Sequence, residues 1–450
     1  MNSGENKNMA NTYWNQALET LPEKDLQAYE VPLLVKQIDY LYHSSDYYRT
    51  QFAEAGINLQ DINCHKALEA VPFTEKKTLA ETQREGQLIG PHQCAPREDI
   101  VRLVGTGGTS GKPMRIAWTR NDIDVYNEMG ARALWMMGCR PGDLVVNCFN
   151  YSIYAGGIMD HMAFETLGAS ILAYGVGKSR ELLELLADLS GEKCLYSTPS
   201  YAVLLEEVAE QANINPLDLN LHKGFFSGEG GLQVPGYRQR IESTWGMSSH
   251  DLYGIAELGC QSAECEYREG MHFCGGGLVI AELIDPDTGS VKPMIDGETG
   301  ELVYTSIKRE ASPLLRFRSH DHVQVFTDPC QCGRHSFRFR TLGRSDDMFV
   351  VKGVNIYPTG VQDVVTQFRP RLTGEFQIIL DQPPPVDYAP RLMVEVVQDF
   401  PEQQHEQLIV EVGDVIKRRA GFTAQVELVK QGTIASEHKT HRVLRLYENL

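Results

Sequence analysis

The amino-acid sequence predicts an α/β protein with a large N-terminal domain, residues 1–345, and a small α+β domain, residues 346–450. Three observations support this prediction. The chain has 450 residues, of which 42% are apolar and 23% charged, a globular composition with room for more than one core. Short apolar runs alternate with helix-like segments between residues 101 and 253, and the pattern starts afresh after residue 347.

The first hundred residues favour helices. Leu33, Ile38 and Leu41 recur close to helical spacing. The run from Pro72 to Glu75 is typical of a turn that enters a helix, and Thr74 is the expected N-cap. We therefore predict a helical lead-in over residues 1–100.

The next segment favours a mostly parallel sheet flanked by helices. Apolar runs of strand length are separated by helix-like stretches such as 179–189, and that alternation is typical of parallel strands joined by crossover helices. The predicted strands are 144–149, 169–174, 193–196 and 224–227.

Glycine-rich turns and strand-like runs follow residue 253 and predict an antiparallel or barrel-like subdomain, with strands at 277–284, 300–306 and 323–327. A linker near 343–347 precedes the last domain. That domain should contain strands at 391–397 and 425–429 and an amphipathic helix at 407–419.

The charge of the chain excludes some functions. Asp and Glu number 60 against 42 Lys and Arg, which gives a net charge of -18 and disfavours binding to nucleic acid. No stretch approaches the ~18 consecutive apolar residues of a membrane helix, and the N-terminus is polar where a signal peptide is apolar. We expect a soluble cytoplasmic protein without a membrane partner; the oligomeric state, including a homodimer, stays open.

Residues 105–113, Gly-Thr-Gly-Gly-Thr-Ser-Gly-Lys-Pro, have the composition of a phosphate-binding loop. Glycines let the backbone approach a phosphate, while hydroxyls and a lysine add donors. The loop is not a Walker motif, because Thr106 stands where the first glycine belongs and Pro113 follows Lys112. A flexible surface turn is the alternative interpretation.

This loop resembles the phosphate loop of the adenylate-forming enzymes, and further segments similar to those of that superfamily follow in the same order. They are Ser227-Gly228-Glu229, the Tyr-Gly-x-x-Glu run at 253–257, the run 313–321 that ends in Asp321, the run 343–348, and the run 352–358. The sequences of the lead-in and of Asp347-Met348 are most similar to those of the phenylacetate–CoA ligase family. The resemblance covers essentially the whole chain.

The resemblance implies a set of nucleotide-binding residues. Taken singly, each of them is explained as well by a surface carboxylate, a turn or an ion pair. The implied roles are phosphate contacts by Thr106, Thr109, Ser110, Gly111 and Lys112, an adenine site at Gly228, Glu229, Tyr253 and Gly254, a Mg²⁺ ligand in Glu257, a ribose contact in Asp321 and a nucleotide contact in Arg344.

The resemblance also implies that the C-terminal domain is mobile, with Asp346 as its pivot and Lys439 as the catalytic lysine. The family usually has glycine before this lysine, whereas this chain has His438. A solvated charge in a basic tail is the alternative for Lys439.

Five of the ten cysteines fall between residues 260 and 332, which indicates a metal site. Cys330 and Cys332 form a Cys-x-Cys-Gly knuckle, and Cys260 and Cys265 complete a set of four sulfurs suited to zinc. The resemblance also implies a zinc at this place. Some relatives have a histidine a few residues after the first ligand, where this chain has Arg268, so Cys260, His272 or Cys274 must supply that ligand. Buried free thiols are the alternative.

The resemblance places an acyl pocket at Tyr151, Tyr154, Gly156 and His161, where a tyrosine beside a small glycine could form a slot for a flat ring. Core packing explains each of these residues nearly as well.

We therefore expect an enzyme that uses ATP and Mg²⁺ to convert an aromatic carboxylic acid to its acyl-adenylate and passes the acyl group to a thiol. Coenzyme A is the expected acceptor, and the phosphopantetheine of a carrier protein is the alternative. A non-catalytic nucleotide-binding protein stabilised by zinc is the alternative of a different class.

Overall fold

A computed structural model of the chain describes residues 12–83, 88–106, 114–233, 236–344, 348–352, 354–434 and 442–449. It divides into one unit of residues 1–319 with 324–340 and a second of residues 320–323 with 341–450. The second unit thus takes in two short segments that precede the boundary predicted at residue 345. Across the described ranges, no helix combines the length and apolarity needed to span a bilayer.

The segment predicted as a helical lead-in contains four α-helices among its described residues. Its buried apolar residues, among them Leu34, Ile38 and Phe52, pack against Ile280 of a later strand and against Leu315, which precedes another. The helices are α1 (Gln16–Glu19), α2 (Glu23–Ser44), α3 (Asp46–Glu54) and α4 (Lys76–Thr82).

The predicted capping role of Thr74 is wrong. Glu75 is the N-cap residue of α4, without a side-chain capping bond. The Thr74 hydroxyl instead donates to the Leu315 carbonyl at 2.6 Å, and its backbone forms a parallel bridge with Phe317. A long-range backbone partner has taken the side chain away from its local helix.

A parallel sheet flanked by helices follows, as predicted. The five parallel strands lie in the order β4, β3, β5, β6, β7. The elements are β1 (Arg102–Gly105), β2 (Arg115–Trp118), α5 (Arg120–Met136), β3 (Leu144–Asn147), α6 (Ala155–Leu167), β4 (Ser170–Ala173), α7 (Ser179–Asp188), β5 (Lys193–Ser197), α8 (Pro199–Ala212), β6 (Leu221–Phe226), α9 (Tyr237–Trp245) and β7 (Ser248–Ile255).

The strands after β7 are antiparallel, but they do not form a separate barrel. β8 pairs antiparallel with β7 and so extends the parallel sheet. Within the described ranges, one twelve-stranded sheet runs in the order β11-β10-β12-β13-β14-β9-β8-β7-β6-β5-β3-β4. The added strands are β8 (Gly259–Glu264), β9 (Met271–Phe273), β10 (Val279–Ile284), β11 (Val291–Lys292), β12 (Thr299–Ser306), β13 (Phe317–Phe326) and β14 (Arg338–Arg344).

The second unit is a small α+β fold, as predicted. A four-stranded sheet of order β19-β18-β17-β20 buries Phe376, Ile378 and Leu392 against helix residues that include Leu408 and Val412. Its elements are β15 (Phe349–Val351), β16 (Val354–Ile356), α10 (Pro358–Thr366), β17 (Leu372–Leu380), β18 (Arg391–Val396), α11 (His405–Arg419), β19 (Gln425–Lys430) and β20 (Val443–Arg445).

Candidate functional site

The glycine-rich loop is the connection of a β-hairpin. β1 ends at Gly105 and β2 begins at Arg115, and these two residues are register partners. At the base of the loop, the Thr106 amide donates to the Met114 carbonyl at 3.0 Å. The predicted phosphate contacts Thr109, Ser110, Gly111 and Lys112 lie outside the described residues.

Thr106 is the predicted phosphate contact that the structure does describe. Its side chain is fully buried, and its Oγ1 has no hydrogen-bond partner in the described part of the chain. Leaving a buried hydroxyl unpaired costs about 1–3 kcal/mol. The atom is therefore suited to an oxygen or donor that a ligand brings, and Thr106 fits a phosphate contact.

Glu257 lies in the turn after β7 and is only 3% exposed. Lys76 Nζ, in the first turn of α4, is 2.8 Å from Glu257 Oε1, and the Arg309 guanidinium donates to the Glu257 backbone carbonyl. A narrow cavity is lined by Glu257 and by Met114 at the base of the loop. A buried carboxylate needs a cation beside it. Lys76 is one such cation, and a metal ion bound by Glu257 would be a second.

Trp118 and Gln37 hold Arg309 in place, in addition to its hydrogen bond to the Glu257 carbonyl. Its guanidinium lies 4.2 Å from the centroid of the Trp118 ring, and burial lowers the pKa of its side chain. Gln37 of α2 exchanges two hydrogen bonds with the Arg309 backbone, at 2.8 and 3.0 Å. Lys76 and Arg309 are not among the site residues predicted from the sequence. The Pro72–Lys76 run is a sequence signal that could have pointed to Lys76, whereas nothing in the sequence marks Arg309 as a site residue.

The predicted adenine segments lie at the carboxyl ends of two parallel neighbours, since residues 227–229 follow β6 and Tyr253 and Gly254 lie in the last part of β7. Ligands of α/β sheets bind at this carboxyl edge. Gly228 has a φ of +87°, a conformation that favours glycine, and the Glu229 carboxylate accepts the Ser200 amide at the start of α8, at 2.5 Å. A Cβ on Gly254 would lie 2.6 Å from the Gly259 carbonyl oxygen, so glycine permits the close approach of β7 and β8 there. The Tyr253 ring packs edge-on against Phe339.

A buried carboxyl group lies directly before this segment. Asp251 accepts a hydrogen bond from Gln233 at 3.1 Å, and its backbone amide donates to Glu264. Arg238 donates to both oxygens of Glu264 at 2.8 Å. Burial, followed by the charge of Glu264, raises the pKa of Asp251 from 3.8 to about 7. The sequence pattern does not predict this cluster, because its residues meet only when β7, β8 and α9 pack together.

The predicted acyl-pocket segment joins the phosphate hairpin. The Gly105 amide donates to the Ile153 carbonyl at 2.5 Å, and Gly105 forms a parallel bridge with Tyr154, the residue before α6. The Tyr151 hydroxyl lies 2.9 Å from His161 Nδ1 within the same segment. The structure thus brings the proposed acyl and phosphate elements together at the start of α6.

Gly156 faces a polar network that the sequence analysis also misses. A Cβ on Gly156 would lie 3.6 Å from both Asp160 Oδ2 and the Phe149 ring. Asp160 is buried and accepts hydrogen bonds from the hydroxyls of Tyr126 and Tyr196 and from the Cys260 thiol, the last at 2.8 Å. Burial raises the pKa of Asp160.

In the second unit, the predicted ribose and nucleotide residues form an ion pair. Arg344 Nη1 lies 3.2 Å from Asp321 Oδ1. The nearby Tyr357 hydroxyl lies 2.5 Å from His322 Nδ1. The predicted pivot Asp346 and the predicted catalytic Lys439 lie outside the described residues.

A buried Cys₃His group replaces the predicted four-sulfur set. One side-chain ligand atom from each of Cys265, His272, Cys330 and Cys332 lies within 4.8 Å of the others. The Cys260 assignment is therefore corrected: its thiol bonds Asp160, and His272 occupies the fourth position. Cys260 lies within β8, whereas Cys265 lies just past the end of that strand.

The spacing of this group suits a tetrahedral metal. Cys265 Sγ and Cys330 Sγ are 3.7 Å apart, and Cys332 Sγ is 3.4 Å from His272 Nε2. Metal–sulfur bonds of 2.3 Å at tetrahedral angles give sulfur separations of about 3.8 Å. Ser336 Oγ lies 3.4 Å from His272 Nδ1 and so supports the ring orientation. Four buried ligands leave no open position for a reacting water, so the group fits a structural zinc.

The N-terminal segment is fastened to the knuckle. Tyr13 donates its hydroxyl to the Cys332 carbonyl at 3.0 Å, and the buried Arg334 pairs with Glu19 at 2.7 Å. Trp14 donates to Glu128 of α5 at 2.8 Å. Residues 13–19 therefore join the knuckle to α5.

Comparison with known proteins places these features in one family. Residues 353–446 match the family model described as the AMP-binding enzyme C-terminal domain. Over 450 aligned residues, the chain is 30% identical to phenylacetate–coenzyme A ligase of Thermus thermophilus, covering 95% of this chain and 98% of that one. It is 31% identical to the Pseudomonas putida enzyme of the same name, over 93% of both chains.

Solved structures agree with this result. 2-Hydroxyisobutyryl-CoA ligase in its postadenylation state, bound to 2-HIB-AMP, superposes with a TM-score of 0.87 at 30% identity and covers 99% of this chain and 94% of that one. The same enzyme bound to 2-HIB-AMP and CoA in its thioesterification state gives a TM-score of 0.73 at 29% identity, with the same coverage.

Asp251 makes a pH-dependent contribution to stability. The pKa of Asp251 is higher in the folded chain than the ordinary 3.8. As the pH rises, the unfolded chain therefore releases this proton first. The free energy of unfolding then falls between about pH 4 and about pH 7. We expect Asp251→Asn to remove that fall and to gain roughly 2–4 kcal/mol relative to the parent chain over this range.

Urea unfolding of both chains between pH 4.5 and 8 measures the effect, with the exposed Asp188→Asn as the control. Parallel pH profiles for the parent and Asp251→Asn would contradict the assignment.

Proposed function

The chain belongs to the phenylacetate–coenzyme A ligase family of AMP-forming acid–CoA ligases, and we propose that its acid substrate is an aromatic carboxylic acid. The acid would be converted by ATP to its acyl-adenylate before coenzyme A takes the acyl group. The observation that carries the proposal is the joining of the phosphate hairpin to an aromatic segment, through Gly105, Ile153 and Tyr154. An acid carboxylate held in this segment would face the α-phosphate of a nucleotide held by the loop.

An aromatic pair borders Gly156. The Phe149 ring packs on Tyr196 with centroids 4.5 Å apart. A Cβ on Gly156 would lie in van der Waals contact with Phe149, at 3.6 Å, so the glycine leaves this part of the ring uncovered by a side chain. Flat rings pack favourably against aromatic faces and edges. The relatives named phenylacetate–coenzyme A ligase are consistent with a ring-bearing acid, whereas 2-hydroxyisobutyryl-CoA ligase shows that this fold also serves an aliphatic one.

Adenylation brings two anions together, so the site must offset charge. Thr106 offers an unpaired buried hydroxyl, and Lys76 supplies a cation beside Glu257. A Mg²⁺ ion held by Glu257 would neutralise phosphate oxygens. Lys76 would offset part of the charge of the buried Glu257 carboxylate, and the ion would offset the rest.

We also propose that Cys265, His272, Cys330 and Cys332 hold a structural zinc. The group lies just past the end of β8 and within the knuckle that follows β13, and it draws these segments together. Zinc bound there would stabilise the antiparallel extension of the sheet and take no part in the reaction.

The acid specificity and the role of Glu257 can be tested together. We expect exchange of labelled pyrophosphate into ATP with phenylacetate or benzoate and at least ten-fold less with 2-hydroxyisobutyrate. Glu257→Gln should lower the exchange rate by about 10²–10³, because it removes a charge aimed at the phosphates. Glu207→Gln, at an exposed position of α8, is the control. Equal exchange with the aliphatic acid would reject the aromatic assignment, and a normal rate for Glu257→Gln at limiting Mg²⁺ would reject the metal-ligand role.

We propose that Lys439 serves adenylation alone and that rotation about Asp346 then permits thioester formation. The solved structures of the relative in two named states support such a sequence. Lys439→Ala should slow adenylation by about 10²–10³ yet still convert supplied acyl-adenylate to thioester. Asp346→Pro should do the reverse, because proline fixes φ at the pivot.

Single-turnover kinetics of each half-reaction test this division, with Lys430→Ala and Asp346→Ala as matched controls. Equal impairment of both half-reactions by Lys439→Ala would contradict it.

For the zinc, we expect one tightly bound equivalent per chain. Cys332→Ser should lose the metal and lower the urea midpoint, because a ligand is removed from a buried four-ligand set. Cys274→Ser is the matched control, since its thiol is buried but lies outside the group. Elemental analysis of protein purified without chelators makes the measurement, and a chain without stoichiometric metal would refute the proposal.

A further inference from the structure

Three side chains of types that bind metal ions meet at the amino ends of the parallel strands. Asp143 lies directly before β3, and Cys194 and His222 are the second residues of β5 and β6. These strands are neighbours in the order β3, β5, β6. One ligand atom from each of the three residues lies within 4.8 Å of the others. The predicted adenine segments lie at the opposite, carboxyl ends of the sheet, so this group is separate from the candidate nucleotide site.

An irregularity in the pairing of β5 with β6 brings His222 into the group. Lys193 is the register partner of Leu221, whereas Cys194 is that of Lys223. His222 falls between these two pairs and is an extra residue of β6. A bulge of this kind redirects side chains. Consecutive strand residues ordinarily point to opposite faces, yet here His222 and Lys223 both reach the same carboxylate.

The His222 ring is oriented for a metal ion. Its Nδ1 lies 3.0 Å from the Lys193 carbonyl oxygen, which can only accept, so Nδ1 carries the proton. Nε2 of the neutral ring then keeps its lone pair, and a backbone carbonyl on the other nitrogen is typical of metal-binding histidines. Glu192 Oε2 lies 3.8 Å from this Nε2, close enough for one ion to bind both atoms.

Asp143 and Cys194 also have atoms available for an ion. Asp143 accepts the Arg140 backbone amide and the Lys223 ammonium through Oδ2, at 2.9 and 3.0 Å. Among the residues that the structure describes, its Oδ1 accepts no hydrogen bond, and the fully buried Cys194 thiol forms none. The charge of the Arg140 guanidinium is acted on by Glu266 as well as by Asp143.

The charges around the sulfur admit a cation. Two carboxylates, Asp143 and Glu192, and one ammonium, Lys223, act on the Cys194 sulfur. A bound divalent ion would replace the proton of the thiol, and the resulting thiolate would add a further negative charge. The group therefore offsets the charge of the ion that it would bind.

The mixture of ligand types selects the ion. A thiolate, an imidazole and carboxylates together suit zinc, whereas Mg²⁺ and Ca²⁺ prefer oxygen ligands. The side chains of Asp143 and His222 are 17% and 26% exposed. An ion held there would thus exchange with solvent more readily than one in the buried Cys₃His group.

We propose that Asp143, Cys194 and His222 form a second, exchangeable site for zinc, with the exposed Glu192 side chain as the fourth ligand. The proton of the Cys194 thiol passes to solvent as the sulfur binds the ion. The ion ties the amino ends of β3, β5 and β6 together and takes no part in acid–CoA ligation.

Titration of the tag-free full chain with Co²⁺ tests the proposal. The chain is first loaded with zinc and then dialysed to remove the exchangeable ion, and the zinc that remains is measured. Co²⁺ is the probe, because a bond between cobalt and a thiolate gives a charge-transfer band. We expect one equivalent of Co²⁺ to bind without loss of the retained zinc, with this band and the strong visible bands of four-coordinate cobalt.

Variants assign the signal to the group. His222→Gln should weaken Co²⁺ binding by about ten-fold or more, because it removes a ligand. Cys194→Ser should abolish the charge-transfer band. The matched controls are His43→Gln, at an exposed position of α2, and Cys139→Ser, a buried thiol outside the group. Urea midpoints check that each variant is folded, and the partly exposed His222 keeps the test decisive if Cys194→Ser is unstable.

The proposal is overturned if Co²⁺ binds only by displacing the retained zinc, if the charge-transfer band survives in Cys194→Ser, or if His222→Gln binds Co²⁺ like the parent. Failure of the Cys₃His proposal would show separately, as a chain that retains no zinc after dialysis. Cobalt bound to the Cys₃His group would give a band that is insensitive to both variants, so the two sites are distinguishable.

Discussion

A carboxylate almost fully shielded from water, as that of Glu257 is, requires a compensating positive charge, and this chain supplies it from distant segments. Lys76 comes from the helical lead-in, and Arg309 follows β12 and binds the Glu257 backbone. Gln37 in turn holds Arg309. The lead-in is therefore more than a cover for the sheet. It carries a charge and a hydrogen-bonding side chain that the buried glutamate depends on.

The sheet supplies the second half of this arrangement. β6 and β7 are parallel, so the turns after them leave at one edge, and β7 reverses into β8 immediately beyond Glu257. The close approach of β7 and β8 depends on Gly254, because any side chain there would meet the backbone of the opposite strand. Tyr126 packs against Gly259 in the same way, and its hydroxyl reaches Asp160. Backbone proximity and buried polar bonds thus connect β7, β8, α5 and α6, the elements beside the candidate nucleotide and acyl segments.

The Cys₃His group joins segments at the end of β8 that lies away from Glu257. Cys265 follows β8, His272 lies in β9, and the knuckle follows β13, so the four residues join strands that are far apart in the sequence. Tyr13 and the Arg334–Glu19 pair extend this junction to the start of the described chain. A buried ion pair of this kind is costly unless its geometry is good. Its placement indicates that the knuckle and the N-terminal segment fold as one body.

The amino-acid sequence by itself determined the elements whose signals are local: the lead-in helices, the parallel strands, the α+β second unit, and the ordered motifs that mark Glu257 and the glycine-rich loop. Periodicity and turn residues act over a few positions, so they can be read along the chain. Tertiary structure alone decided which distant groups meet. It moved the Thr74 hydroxyl from a helix cap to Leu315, gave the fourth ligand position to His272 instead of Cys260, and placed Lys76 and Arg309 on Glu257. These choices depend on strand order and register, which bring together residues up to hundreds of positions apart, and no local pattern encodes such pairings.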